Sequence, residues 1–303
     1  AHNLIAAALD ARVYHESRWG EGFFRKHGLE KLGIDSYGVQ WRRVIDMNDR
    51  ALRNTMLGLG SRADGPMRES GFDIAVASEL MAILALATSL KDLRERIGRI
   101  IVARTPKGKA VTAEDIGVAG AATVLLKDAL YPNLMQTIEG QPAFVHTGPF
   151  ANIAHGNSSI MADLIAAPHV DYLVTESGFG SEIGFEKFMD IKCRTSGMWP
   201  DAAVLVVTAR ALKNHGGGPV LRAGLPMPDV YTSENIALLE AGMPNLEAHI
   251  ANVRRVGLPC IVAINAFPDD TVAEHQVIRD AALKAGASEC VVSTHHADGG
   301  RGA

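Results

Sequence analysis

The fold is decided by Cys260-Ile261-Val262-Ala263-Ile264-Asn265, then Ala266-Phe267-Pro268-Asp269-Asp270-Thr271, a helical run to Ala285-Gly286, and Glu289-Cys290-Val291-Val292-Ser293. Both end runs are short and apolar, without the strict alternation of a half-exposed strand, as strands covered on both faces should be. Between them the pattern changes to a helical period. Thr271 is a good N-cap, Glu274 three residues later completes a capping box, and Gly286 sits where a helix C-terminus favours glycine. Strand, helix and strand in this order predict a βαβ unit and so a parallel pair.

Working outward, residues 99–103, 143–146, 171–175 and 202–208 are further short apolar runs of the same kind. Alternating with helical segments, they predict an α/β fold, a mainly parallel sheet with helices on both faces. Helices are predicted over 4–14, 78–86, 90–99 and 233–241, and over 245–256, where Leu246, Ile250 and Val253 share a stripe. The glycine- and proline-rich loop 216–231 and the break Gly242-Met243-Pro244 suggest a boundary. The expected organisation is a large α/β domain over 1–244 and the start of a second, smaller α/β domain over 245–303.

The 303 residues include 30 Lys+Arg and 34 Asp+Glu, for a net charge of −4 and a pI near 6.3. No basic excess is present to neutralise a nucleic-acid backbone, and no polybasic cluster suits anionic lipid. The longest apolar run, 74–90, is interrupted by Ser78 and Glu79 and falls short of the roughly 18 residues that a membrane span needs. Cys193, Cys260 and Cys290 are scattered without a CxxC pair, which argues against a disulfide framework or a structural zinc site. A reduced, cytoplasmic protein is expected. His295 and His296 are adjacent, no HxxxH or HExxH occurs, and neither does a GxSxG elbow, so neither a metal site nor a serine triad is predicted. The chain opens on Ala1-His2-Asn3 and stops on Gly299-Gly300-Arg301-Gly302-Ala303. These ends read either as terminal processing or as an internal piece of a longer protein.

In open α/β sheets ligands gather beyond the carboxyl ends of the strands, so the loops there carry the functional expectations. The loop after 143–146 holds His146, Gly148, Asn152, His155, Gly156, Ser158 and Ser159. It reads either as a close-approach loop leading to a helix N-terminus or as a tight connection with satisfied histidines. The next loop carries Glu176, Gly178, Phe179 and Gly180. A phenylalanine between two glycines either offers a stacking face to a flat aromatic ligand or tucks against a neighbouring helix. After 202–208 come Arg210, Lys213 and His215, then three glycines, either a phosphate-holding surface or a solvated basic turn. No GxxxxGK[ST] occurs in the chain, so no Walker A cradle is present. After 260–265, Pro268 pre-orders Phe267 as a second aromatic platform, with Asp269 and Asp270 as acceptors. The alternative there is a helix-start loop whose acids complement the dipole. Residues 46–54 read as a solvated cap, and 68–73 as charges capping the apolar run 74–90.

Taken together these loops carry a resemblance. Val207-Thr208-Ala209-Arg210-Ala211-Leu212-Lys213-Asn214-His215-Gly216-Gly217 closely resembles a signature of formate–tetrahydrofolate ligases. Loops 148–156, 175–180 with Glu186-Lys187-Phe188, and 264–268 are similar to that family too, as are 49–54 and 71–74. The similarity runs the length of the chain.

The resemblance implies a P-loop NTPase-like large domain and an ATP-dependent ligase of one-carbon metabolism. ATP, with its Mg²⁺, phosphorylates formate, and N10 of tetrahydrofolate attacks the formyl phosphate to give 10-formyltetrahydrofolate. It implies that Phe179, Phe267 and Pro268 bracket the flat ring of folate or nucleotide, and it places Arg210, Lys213 and His215 in the catalytic signature. His296 stands where the family usually has a tryptophan that closes the clamp. The implied partners are formate, ATP and tetrahydrofolate, and a homo-oligomer. The family's P-loop, a phosphate-contacting arginine and the family's C-terminal part match nothing in these residues, so the resemblance implies an internal fragment that lacks the P-loop region and the C-terminal part. The rival expectation is an inactive folate- or nucleotide-binding module, or a scaffold, derived from the family.

Overall fold

The capping box that opens the decisive helix forms as its spacing requires. The Thr271 hydroxyl accepts from the Glu274 N–H at 3.2 Å, and the Glu274 carboxylate accepts from the Thr271 N–H at 3.4 Å. A computed structural model of the chain describes residues 1–150, 153–222 and 224–303. It divides into two compact units, Ala1–Gly178 and Phe179–Ala303.

The first unit contains α1 (His2–Arg18), α2 (Glu21–Lys26), β1 (Arg43–Ile45), β2 (Thr55–Leu57), β3 (Arg68–Ser70) and β4 (Phe72–Ile74). It continues with α3 (Glu79–Leu86), α4 (Leu90–Gly98), β5 (Ile101–Arg104), β6 (Ala110–Thr112), α5 (Ala119–Leu126), β7 (Asn133–Gln136), β8 (Pro142–Val145) and α6 (Ile160–Ala166). Its core gathers Ile5, Leu9 and Val13 with Leu80, Leu84, Leu93, Ile97 and Val102. Ser78 and Ser89 cap α3 and α4 with their hydroxyls, as helix starts favour. Asp49 caps a short 3₁₀ turn at Arg50–Leu52, which realises the solvated-cap reading of 46–54. Arg68 is instead a buried partner of Asp10, which also holds Arg43 at 2.6 Å.

The second unit contains α7 (Arg194–Ser196), β9 (Ala203–Val207), α8 (Ala209–His215), α9 (Ile236–Arg255), β10 (Cys260–Asn265), α10 (Val272–Lys284), β11 (Glu289–Ser293) and α11 (His295–Asp298). Strands β9, β10 and β11 form a parallel sheet in the order β11-β10-β9, with Cys260 opposite Ala203 and Ile261 opposite Glu289. Leu212, Leu239, Met243, Leu246, Ile250, Val253 and Ile278 pack on Cys260, Val262 and Ile264.

The chain is an α/β protein with parallel pairing in both units, and several expectations are corrected in detail. Residues 171–175 form no strand, and Tyr172 and Val174 are each 89% exposed. The runs at 99–103 and 143–146 do form strands, but in antiparallel hairpins, β5 with β6 and β7 with β8. Helices cover one face of the three-stranded sheet rather than both. Because strand order advances steadily in one direction, right-handed crossovers put α8, α9 and α10 on the same side. On the other face Val204 and Val206 stay 64% and 63% exposed.

The break predicted at Gly242-Met243-Pro244 lies inside α9, which runs on through Pro244. An internal proline costs about 3 kcal/mol. The stripe Leu239, Met243, Leu246, Ile250 and Val253 is buried on both sides of it, and that burial outweighs the lost donor. The boundary expected after residue 244 therefore lies within one helix, and the division between units comes at 178/179.

All three cysteines are buried thiols. Burial raises the Cys260 pKa, and it pushes Cys290 up to about 11. Since the thiolate is the reactive form, thiol titration at pH 8 should show no fast-reacting cysteine until denaturant is added. A rapid equivalent in native buffer would contradict this packing.

Candidate functional site

The parallel sheet positions the site by setting three strand ends on one edge. Residue Arg210 follows β9, Phe267 and Pro268 follow β10, and His296 follows β11. The Phe267 N–H donates to Asp270 Oδ2 at 2.9 Å, and His275 Nε2 lies 3.3 Å from the same oxygen. Pro268 fixes the next backbone torsion. The aromatic platform is thus held from its backbone outward. Asp270 has its side chain almost fully buried and its Oδ1 without a hydrogen-bond partner. The Arg210 guanidinium lies 4.0 Å from the centroid of the Phe267 ring, and its Nη2 donates to Asp269 Oδ2 at 2.9 Å. His296 is exposed on α11, beside His295, whose Nδ1 lies 2.9 Å from Ser293 Oγ.

The expected cationic surface after β9 is not formed as a cluster. Helix α8 starts directly at Ala209, capped by the Thr208 hydroxyl, so the three residues are distributed along a helix. Lys213 points into the protein, where Nζ meets Glu274 Oε1 at 2.6 Å and donates to the Ser233 carbonyl at 2.8 Å. Lys213 is 1% and Glu274 0% exposed in their side chains. This cation holds α8 to α10 and is not offered to a ligand. His215 sits exposed at the far end of α8. Of the three, Arg210 alone lies at the strand edge.

Phe179 is displayed rather than tucked away, 70% exposed and with φ 63°. A positive φ on a bulky residue costs of order 1–3 kcal/mol and persists only where the surroundings enforce it. The enforcing contacts lie just beyond it. Gly180 is extended, and buried Ser181 meets His249 Nδ1 at 2.6 Å and accepts from Asn252 Nδ2 at 3.1 Å. A π-helical turn comes next, at Ser181–Phe185, a geometry frequent at functional sites. His249 and Asn252 were not among the sequence candidates. Their signal was two polar residues three apart on α9, off the Leu246–Ile250–Val253 stripe.

In the first unit, the two candidate loops are stitched together by Asn157. Its Oδ1 accepts from Thr175 Oγ1 at 2.7 Å, its Nδ2 donates to Ser177 Oγ at 3.2 Å, and the Gly178 N–H donates to the Gly156 carbonyl at 3.0 Å. His146 spans the Ser159 hydroxyl and the Ala129 carbonyl. Buried His155 meets the Ser158 carbonyl through Nε2 at 3.0 Å, whereas His146 is engaged at both ring nitrogens. Gly148 stands near Met81, and Glu176 is exposed. Asn152 lies outside the described residues. Thr147 has φ 51°, so each of these two loops begins or ends near a strained non-glycine residue.

Among the described residues, no helix is long and apolar enough to cross a membrane, and no group of three His, Cys, Asp or Glu is placed to hold a metal ion.

A parallel sheet whose carboxyl edge carries an aromatic, an arginine and one buried acid defines an α/β protein with its candidate loops at the strand ends. The family model described as formate–tetrahydrofolate ligase matches residues 1–303, and the chain belongs to that family. It is 53% identical over 303 residues to a protein of Rubrobacter xylanophilus named formate–tetrahydrofolate ligase 3, covering 100% of this chain and 50% of the relative. To the formate–tetrahydrofolate ligase of Aeromonas hydrophila it is 54% identical, covering 100% of the chain and 53% of the relative. To the human protein named C-1-tetrahydrofolate synthase, cytoplasmic, it is 48% identical, covering 100% of the chain and 37% of the relative. The chain spans about half the length of the ligases it matches.

Proposed function

We propose that this chain forms the folate-facing part of an ATP-dependent ligase that joins formate to tetrahydrofolate. In that reaction a formate oxygen attacks the γ-phosphorus of ATP and ADP leaves. N10 of tetrahydrofolate then attacks the formyl carbon of formyl phosphate, phosphate departs, and N10 loses its proton, giving 10-formyltetrahydrofolate. The observation that carries the reading is the ring of Phe267, locked by Asp270 and Pro268 at the carboxyl edge of the sheet. Membership of the ligase family supports the choice of ligand.

The chain's own residues supply positioning. Phe267 and Pro268 offer a flat, pre-ordered surface, and stacking a heterocycle on such a face is worth about 1–3 kcal/mol. Phe179 and His296 are further ring contacts in this reading, with histidine offering a smaller face than the family's tryptophan. Arg210 is the cation near the platform, whereas Lys213 acts as a structural brace. ATP would bring Mg²⁺ to the reaction, and no step is assigned to the ion. No GxxxxGK[ST] occurs in the 303 residues, so no residue of this chain is given the triphosphate in this reading. We place the protein in the cytoplasm, as the human relative's name has it, and as a homo-oligomer, which sedimentation equilibrium would measure.

Calorimetric titration of the 303-residue chain with tetrahydrofolate should show binding, weakened roughly tenfold or more in Phe267→Ala. Incubated with ATP, formate and tetrahydrofolate, the chain alone should form no 10-formyltetrahydrofolate. Product from the chain alone would sink this division of labour, and an unchanged affinity in Phe267→Ala would remove Phe267 from the site.

A further inference from the structure

At the platform the backbone beneath the ring is fixed and the group lying on the ring is not. Phe267 is tied by its own N–H to Asp270 and followed by Pro268, so the main chain that carries the ring is held in place. The Arg210 guanidinium reaches the ring from the start of α8, on a side chain with four rotatable bonds. Its Nη2 is held by Asp269, a half-exposed carboxylate on the same loop as the ring. Its Nε is buried and has no hydrogen-bond partner. A cation that covers an aromatic face with one donor unsatisfied is held there at less than its full hydrogen-bonding capacity.

We propose that Arg210 is a displaceable cover on Phe267, latched by Asp269, and that it sets which flat ligands the platform accepts. The inference rests on Phe267 being a stacking surface for the ligand ring. A ring reaches the covered face only by displacing the guanidinium. That displacement loses a cation–π contact and an ion pair with Asp269. A ligand that carries an anionic or strongly accepting group offsets the loss by pairing with the released guanidinium, including its unsatisfied Nε. A neutral ring of the same shape bears the loss in full. Arg210 is thereby a specificity-determining residue that favours charged folates over bare pterins, and Asp269 sets how firmly the cover is held.

The test compares tetrahydrofolate, which carries glutamate carboxylates, with 6-methyltetrahydropterin, which has the same ring and no charged tail. Dissociation constants are measured calorimetrically for the 303-residue chain and for Arg210→Ala, Asp269→Asn and Phe267→Ala. An exposed cation–π contact is of a size that converts to about two- to fivefold in affinity. Arg210→Ala should therefore bind the neutral pterin about two- to fivefold tighter and show a narrower preference for tetrahydrofolate. Asp269→Asn, which keeps the arginine and loosens the latch, should bind the neutral pterin about twofold tighter with the preference retained. If Phe267→Ala weakens binding but Arg210→Ala binds the pterin no tighter, the cover is refuted while the platform stands. If Phe267→Ala changes nothing, the platform is refuted and the cover with it.

Discussion

Glu274→Gln should destabilise the second unit by about 3–5 kcal/mol, the cost of leaving a buried charge without its partner. Lys213 and Glu274 are both almost fully buried, and they face each other at 2.6 Å. Glu274 also accepts from the Asn235 N–H at 2.9 Å and completes the cap of α10. One carboxylate therefore ties together α8, the start of α9 and the start of α10. The double variant Lys213→Met/Glu274→Met should recover much of the loss, because it removes both charges together. Urea denaturation of the three proteins measures this, and equal midpoints for Glu274→Gln and wild type would refute it.

The same pair sets an acid sensitivity. Burial alone would raise the Glu274 pKa, but hydrogen bonds from Lys213, Asn235 and Thr271, with the Lys213 charge, hold it below the ordinary carboxylate value. A depressed carboxylate pKa contributes stability that is complete above the unfolded value, about 4.3, and is lost as pH falls through the lower folded one. The stability gap between wild type and Glu274→Gln should therefore be constant near neutrality and shrink below about pH 4.

Gly242→Ala should lower stability by about 3 kcal/mol, at the upper end of what overpacking costs. A methyl group at Gly242 would overlap the Leu212 carbonyl oxygen, and one at Gly216 would overlap the Leu238 carbonyl oxygen. Helices α8 and α9 thus meet backbone to backbone through these two glycines, and no side-chain rotamer can relieve the clash. Gly120→Ala is the control. Gly120 lies within α5, where the nearest atom to an added methyl is Arg94 Nε at 4.0 Å. There the substitution only removes the helix penalty of glycine and should stabilise by about 0.5–1 kcal/mol. Matching signs at the two positions would show that the α8–α9 contact is looser than described.

These two glycines show where sequence reading stops. The triplet Gly216-Gly217-Gly218 resembled a loop that cradles phosphate, whereas Gly216 is there for helix contact. Lys213 resembled a catalytic cation because nothing in its own segment names Glu274, 61 positions later, as its partner. Tyr172 and Val174 resembled a covered strand because apolar character does not say whether a neighbouring strand is present. Asp269, Asp270 and Phe267 were legible as a group because they lie within one loop after an unmistakable strand. Their arrangement with Arg210, from the preceding strand, was not.

By itself the sequence determined the local units. It set the βαβ stretch from Cys260 to Ser293, the Thr271–Glu274 capping box, and the family signature around Arg210. These depend on neighbours within about a dozen residues, and propensity, periodicity and capping are local interactions. Tertiary structure alone decided which face of the sheet is covered, that α9 passes through Pro244, that Lys213 is spent on Glu274, and that Arg210 lies on Phe267. Each of these depends on burial or on pairing between distant segments, whose free energy exists only once the chain has brought them together.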